Sequence, residues 1–238
     1  MSPGDRWLIL TGARCPTGQA IARGWRALPG GRVLGISRQP DLPGVDAVLV
    51  GDLRQPAAVA DRLAEWLIGL PHGPAALVHA AGLVYADAAL ATTADEWEQT
   101  LAVNLRAALT VARPVVARMA GGGAIVLVSS VDAVRVPRSG PDAAYAAAKA
   151  GLEALGRHAA VEWGPRAIRV NTVRLGPLEE GGMGGGASLR AGLGALTADG
   201  GLVTAEEAAA AVLFLLSDRA SGITGQTLVV DHGFGLAY

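Results

Sequence analysis

The sequence predicts a doubly wound α/β fold of three αβα layers around a mostly parallel sheet. Short, near-continuous apolar runs alternate with longer segments of helical periodicity, the mark of parallel strands joined by crossover helices. The runs are too uniformly apolar for half-exposed strands and read as buried on both faces. At 238 residues the chain reads as one domain, 1–238, large enough for a full core.

Taken in order, Trp7 to Leu10 reads as the first strand and Gly18 to Leu28 as its helix. Arg32 to Ser37 is the second strand, closely following Pro29-Gly-Gly31, and Asp46 to Val50 the third, with a helix from Pro56 to Leu70. Ala75 to Ala80 is the fourth. A long helical region, Ala94 to Met119, is separated from the fifth strand, Ala124 to Ser130, by Gly121-Gly-Gly123. A helix from Ala143 to Trp163, a sixth strand from Ile168 to Arg174 and a last strand from Gln226 to Asp231 complete the sheet. Residues 176–203 depart from this order. They carry the glycine cluster Gly181-Gly-Met-Gly-Gly-Gly186 with weak helical periodicity, and they leave the sixth strand at the edge where such folds bind ligands. They read as a mobile substrate lid.

Composition narrows the function. Charged residues are 17% and the net charge is −1, with no footprint for nucleic acid or an anionic membrane. A single cysteine, Cys15, excludes an internal disulfide and fits a reducing compartment. The longest apolar helical stretch reads as Ala208 to Leu216, short of the ~20 residues a membrane crossing needs. No signal peptide is read at the start, and a cytoplasmic protein is the expectation.

The turn Thr11-Gly-Ala-Arg-Cys-Pro-Thr-Gly18 lies between the first strand and its helix. Glycines there let backbone N–H groups approach a pyrophosphate at the helix N-terminus. Gly12, Thr17 and Gly18 are its candidate contacts. Arg38 directly follows the second strand, where an acid would grip a ribose 2′-hydroxyl and an arginine suits a 2′-phosphate. Arg14 is placed to close on the same group, so the pair favours NADP(H) over NAD(H). Asp52, just past the third strand with Leu53, is placed to accept from an adenine amino group.

Tyr145 and Lys149 share one helix face, one turn apart. Lys149 is the only lysine among 20 basic residues, the rest being arginine. An ammonium beside a phenol stabilises its anion and is expected to draw its pKa toward neutrality. Arginine, a wider fork that holds its charge, does not replace lysine here.

Together these residues resemble the short-chain dehydrogenase/reductase family and its 3-oxoacyl-carrier-protein reductase-like members, from about Trp7 to Phe234. The resemblance rests on the glycine turn, His79-Ala-Ala-Gly82, Asn104, Ser130, Tyr145 with Lys149, Asn171, and Ile223-Thr-Gly-Gln226. It implies a Rossmann fold and an NADP-dependent ketoreductase. Tyr145 would be the acid or base, Lys149 would lower its pKa and hold the nicotinamide ribose, Ser130 would hydrogen-bond the reacting oxygen, and Asn104 would fix a water in a proton relay. Ser129 is the competing serine, pointing to the opposite face of its strand. Ala80, Ala81, Gly82, Gly176 and Leu178 would line the cofactor, and a homotetramer or dimer would be the assembly.

Four departures stand out. Pro16 replaces the middle glycine of the turn and removes an N–H. His79 replaces an asparagine and reads as structural. Glu180 stands where a threonine commonly meets the nicotinamide. The loop from Ser130 to Tyr145 carries Arg135 and Arg138, which would make the pocket mouth positive and suit a free, anionic carbonyl compound. A non-redox dehydratase or epimerase, or a catalytically silent NADP-binding protein, are the other readings of the same fold. No metal site is expected.

Overall fold

The computed structural model describes residues 4–85, 88–137, 142–180, 187–234 and 236. Strands β1 (Arg6–Thr11), β2 (Gly31–Ser37), β3 (Ala47–Val50), β4 (Ala76–His79), β5 (Gly123–Ser130), β6 (Ile168–Leu175) and β7 (Thr227–Val230) form one sheet in the order β3-β2-β1-β4-β5-β6-β7. Every strand pairing in it is parallel. The order reverses at β1, which has β2 on one side and β4 on the other. A crevice opens at such a reversal, beyond the carboxyl ends of the strands.

Alternation along β1 separates two cores. Ile9 faces one layer with Leu34, Leu77 and Ile125, packed under helices α2 (Pro56–Ile68), α4 (Ala107–Arg118) and α5 (Ala143–Trp163). Leu8 and Leu10 face the other with Val78, Val126 and Val173, under α1 (Pro16–Arg26) and α7 (Ala205–Leu216). Trp25 anchors α1 in this second core, and its indole N–H donates to the Arg6 carbonyl at 2.9 Å. Removing such a buried indole costs about 3–5 kcal/mol.

Helix α3 (Ala94–Leu101) starts at a capping box, Thr93 with Glu96, and runs into α4 through a π-helical turn, Ala102–Arg106. The continuous helix Ala94–Arg118 is long and apolar enough to cross a membrane by length and composition, and 56% of its most apolar window is buried inside the fold. It, rather than Ala208 to Leu216, is therefore the longest apolar helical stretch, and it serves as a core helix against α2 and α5.

The expected lid is partly structured. Helix α6 (Ala187–Gly194) lies within it, and its base is pinched shut: Val203 N–H donates to the Pro177 carbonyl and Glu179 N–H to the Val203 carbonyl, each at 2.9 Å. The glycine cluster 181–186 lies outside the described residues. Helix α7 begins at a second capping box, Thr204 with Glu207.

Candidate active site

The carboxyl ends of β1 and β4 meet at Thr11 and His79, which are register partners. Thr11 Oγ1 accepts from the Ala81 N–H at 3.2 Å and lies 3.0 Å from His79 Nδ1. The threonine hydroxyl therefore donates to Nδ1, which leaves the proton on Nε2 to donate to the Val103 carbonyl at 3.1 Å. His79 is buried and pushed down to about 3 by desolvation, with the Lys149 charge adding to the effect. It is a neutral structural bridge between two strands and the π turn.

That bridge supports the glycine turn. Gly12 has φ +73°, and a Cβ there would lie 2.5 Å from the Ala80 backbone; a Cβ on Gly18 would lie 2.2 Å from the Gly12 carbonyl oxygen. Only glycine fits either place. Cys15 caps α1, its Sγ accepting from the Gly18 N–H at 3.3 Å, and Thr17 is buried in the first turn. Pro16 occupies the first position of the helix, where an N–H has no intrahelical partner to lose.

The π turn explains the mid-helix asparagine. Ala107 N–H reaches back five residues to the Ala102 carbonyl, a register that shifts backbone groups out of the α ladder. Asn104 is fully buried. Its Nδ2 donates to the carbonyls of Leu83 at 2.8 Å and Thr100 at 2.9 Å, and its Oδ1 accepts from the Leu83 N–H at 3.3 Å. The side chain is thus committed to clamping the segment Ala80, Ala81, Gly82 and Leu83 above β4.

Three of the four expected catalytic side chains gather at the end of β5. Ser130 is the last residue of that strand, and its Oγ donates to Asp132 Oδ2 at 3.1 Å. Ser129 points away, its Oγ donating to the Lys149 carbonyl at 3.3 Å. Asp142 caps α5, with Oδ1 accepting from the Tyr145 N–H at 3.1 Å and Oδ2 buried without a partner among the described residues. Lys149 Nζ donates to the Val128 carbonyl at 2.8 Å and lies 5.3 Å from the centre of the Tyr145 ring.

The electrostatics differ from expectation. Burial pushes the Tyr145 phenol up from its ordinary value, Asp132 and then Asp142 add to this, and the hydrogen bond with Ser130 opposes it. Lys149 faces the ring and the Val128 carbonyl, so in this arrangement it does not draw the phenol pKa down. Its own value falls to about 8 through burial, with Cys15 and Asp132 opposing. Burial raises Asp132 as well. Two acids, Asp132 and Asp142, thus bear on Tyr145 against expectation, beside the Lys149 ammonium. Arg135 is exposed, and Arg138 lies outside the described residues.

At the cofactor end, Arg38 is exposed directly after β2, and Arg14 is exposed and donates to the Asp41 carbonyl in the loop that follows. Two guanidiniums thus stand beside a glycine turn at a helix N-terminus, a place that suits anions. Asp52 is held by Arg54 through two side-chain bonds of 2.9 and 2.5 Å, a competitor for the adenine contact expected of it; Leu53 is buried beside it. Gly176 packs against Asp231, and Leu178 bridges to Val203 at the pinched base of the lid segment. Among the described residues, no group of three His, Cys, Asp or Glu side chains could hold a metal ion.

Sequence reasoning missed Asp132, the π turn and α6. Asp132 stands two residues after Ser130, and its spacing carries no helical or strand signal. The capping box Thr204-x-x-Glu207 is the available signal for the start of α7.

Comparison with known proteins agrees with this architecture. A family profile described as Enoyl-(Acyl carrier protein) reductase matches residues 38–235. L-xylulose reductase of Bos taurus is 35% identical over 246 aligned residues, covering 96% of each chain. D-threitol dehydrogenase of Mycolicibacterium smegmatis is 36% identical over 168 residues, 66% of this chain and 62% of that protein. The match thus spans less than two thirds of the dehydrogenase. Among solved structures, a short-chain type dehydrogenase/reductase from Mycobacterium ulcerans superposes with a TM-score of 0.88 at 26% identity, covering 99% of this chain and 92% of that one.

Proposed function

This chain belongs to the short-chain dehydrogenase/reductase family of oxidoreductases, and from that premise we propose that it is an NADPH-preferring reductase of small hydroxylated ketones, reversible toward the secondary alcohol. One observation carries the reading: Ser130, Tyr145 and Lys149 converge at the carboxyl edge of the sheet, on the side where the glycine turn opens.

A nicotinamide, when bound, would supply or accept the hydride at the carbonyl carbon. Tyr145 gives its phenolic proton to the carbonyl oxygen as that oxygen gains charge, and takes it back in the alcohol-oxidising direction. Ser130 orients the oxygen and stabilises its charge with a hydrogen bond. Lys149 would offer its ammonium to a ribose hydroxyl. Asn104, held on the π turn, keeps the Ala80 to Gly82 wall in place, and the freed backbone there is where a relay water would be held. Gly12, Thr17 and Gly18 would hold the pyrophosphate, and Arg14 and Arg38 the 2′-phosphate. The names of the relatives support a polyol or sugar-like substrate. So do the acids Asp132 and Asp142, which accept from hydroxyl groups and repel anions. The exposed outer faces of α4 and α5, including Val161, are assigned to a dimer or tetramer contact, which gel filtration tests.

The experiment is equilibrium titration of the protein with NADPH and NADH, followed by a screen of ketoses and polyols with the nucleotide that binds. Tight binding with NADPH preferred, and turnover lost in Tyr145→Phe with binding retained, is the expected result. Failure of both nucleotides to bind at millimolar concentration would sink the redox reading.

A further inference from the structure

Ser130 and Asp132 flank a short 3-10 turn, Val131–Ala133, that immediately follows β5. The contact is reciprocal: the Ser130 hydroxyl donates to Asp132 Oδ2 at 3.1 Å, and the Asp132 N–H donates to Ser130 Oγ at 3.2 Å. Ser130 also bears on Tyr145, opposing the upward push of burial on the phenol. The three side chains form one set, in which the hydroxyl is bonded to the carboxyl and both act on the phenol. The geometry points to Asp132 as a positioning residue that directs the single hydroxyl proton of Ser130 and, through its charge, holds Tyr145 protonated, so that it sets the pH at which each direction of the reaction runs. This inference rests on the redox reading of the same site and deepens it.

Ser130 has one hydrogen to give. While Asp132 is ionised, that hydrogen goes to the carboxylate, and Ser130 offers only lone pairs to the Tyr145 O–H. A phenolate facing those lone pairs, with an anion behind them, is disfavoured. When Asp132 takes up a proton, its own O–H can donate to Ser130. The serine hydroxyl is then released toward the substrate oxygen, as carbonyl reduction requires. Burial favours this neutral form of Asp132 beyond the ordinary carboxylate range, and Asp142 adds to it, while Ser130 and Lys149 oppose.

Among the described residues, few titratable groups bear on these side chains. Asp142 lies at the start of α5 and Lys149 one turn beyond Tyr145. Cys15 at the cap of α1 and His79 at the end of β4 act on them through Lys149. His79 is neutral above about pH 3, so among the described residues the acids and bases that bear on these side chains are Asp132, Asp142 and Lys149. Asp142 is tied to the Tyr145 backbone as a helix cap. Asp132 is the one that also touches the serine.

The test uses Asp132→Asn, which keeps a hydrogen-bonding partner for Ser130 and removes the charge, and Asp132→Glu, which keeps the charge. The chain has three tyrosines, so the Tyr145 ring can be followed by carbon-13 NMR of tyrosine-labelled protein and assigned with Tyr145→Phe. In Asp132→Asn the Tyr145 titration should fall by about one unit, the ordinary effect of removing a like charge a few ångströms away. The alkaline limb of alcohol oxidation should move to lower pH by the same amount, and Asp132→Glu should restore the wild-type positions. An unchanged Tyr145 titration in folded Asp132→Asn overturns the proposal. Should that variant not fold, the wild type decides: Tyr145 and Asp132 both titrating at their ordinary values overturns it, and both displaced upward supports it. A shifted titration in a protein that reduces no ketone supports the role of Asp132 and sinks the redox reading instead.

Discussion

The Lys149 ammonium stands 5.3 Å from the centre of the Tyr145 ring and donates to the Val128 carbonyl of β5. It approaches the face of the phenol, where a cation meets the negative ring quadrupole. Burial lowers its pKa to about 8, so it is a partly charged group near neutrality.

The pH dependence of nucleotide binding follows. Binding that uses the ammonium should weaken as pH rises through about 8, and Lys149→Met should remove that limb. The sign for stability is opposite. Between about 8 and 10.5 the unfolded chain holds a proton that folded Lys149 has lost, so this residue's contribution improves as pH rises. Below that window the buried charge is a cost, and Lys149→Met should stabilise the fold at pH 7 by about 1–3 kcal/mol while abolishing turnover. Denaturant melts of both proteins at pH 7 and 10 check this.

Arg38 is exposed at the end of β2 and free to meet a 2′-phosphate. Arg38→Asp should weaken NADPH by about 10-fold or more, the worth of a charge-assisted contact, and leave NADH within about 2-fold. Equal losses for both nucleotides, measured by calorimetry, would remove the 2′-phosphate assignment.

His79 is buried neutral, with its pKa down at about 3. Between 6.5 and about 3 the unfolded chain binds a proton that the folded chain does not, so stability falls as pH falls across that window. The slope is about 1.4 kcal/mol per unit for one group. His79→Asn should flatten the acid limb relative to wild type. His79→Leu should cost about 1–3 kcal/mol at pH 7 by stranding the Thr11 hydroxyl and the Val103 carbonyl.

Glu153 on α5 and Arg174 on β6 form a two-bond ion pair of 2.8 and 2.6 Å, with Glu153 buried. Glu153→Ala leaves a half-buried guanidinium uncompensated and should destabilise by about 3 kcal/mol. The double variant Glu153→Leu with Arg174→Met should lie much nearer wild type in thermal melts.

His232, in the left-handed region at φ 53°, is gripped by Asp199 at 2.8 Å and Glu207 at 3.2 Å. Both acids raise its pKa, so the clamp is complete below 6.5 and loosens as pH rises through the raised value. Amide exchange around Asp199 to Val203 should quicken across that rise, and His232→Gln should be fast throughout.

Much of this was legible in the residues. The β strands fell where the apolar runs lay, and the helix Ala143–Trp163 has the ends expected of it. The glycine turn was readable because Gly12 and Gly18 have no room for a Cβ, a demand that leaves a trace in residue type. Asn104 was conspicuous as an amide in a helix interior, yet its reason, a π turn with an amide clamp on Leu83, was not readable. A register shift of one residue leaves no periodic mark over five positions.

What the sequence by itself determined is the layered sheet, the order of its elements and the spacing of Tyr145 and Lys149, because periodicity and turn chemistry are local properties of the chain. Only the tertiary structure decided the charge around them. It brought Asp132 and Asp142 to the phenol, turned Lys149 toward Val128, and made His79 a neutral bridge. Those outcomes depend on burial and on partners distant along the chain, and desolvation is a property of the packed site that no single stretch of residues carries.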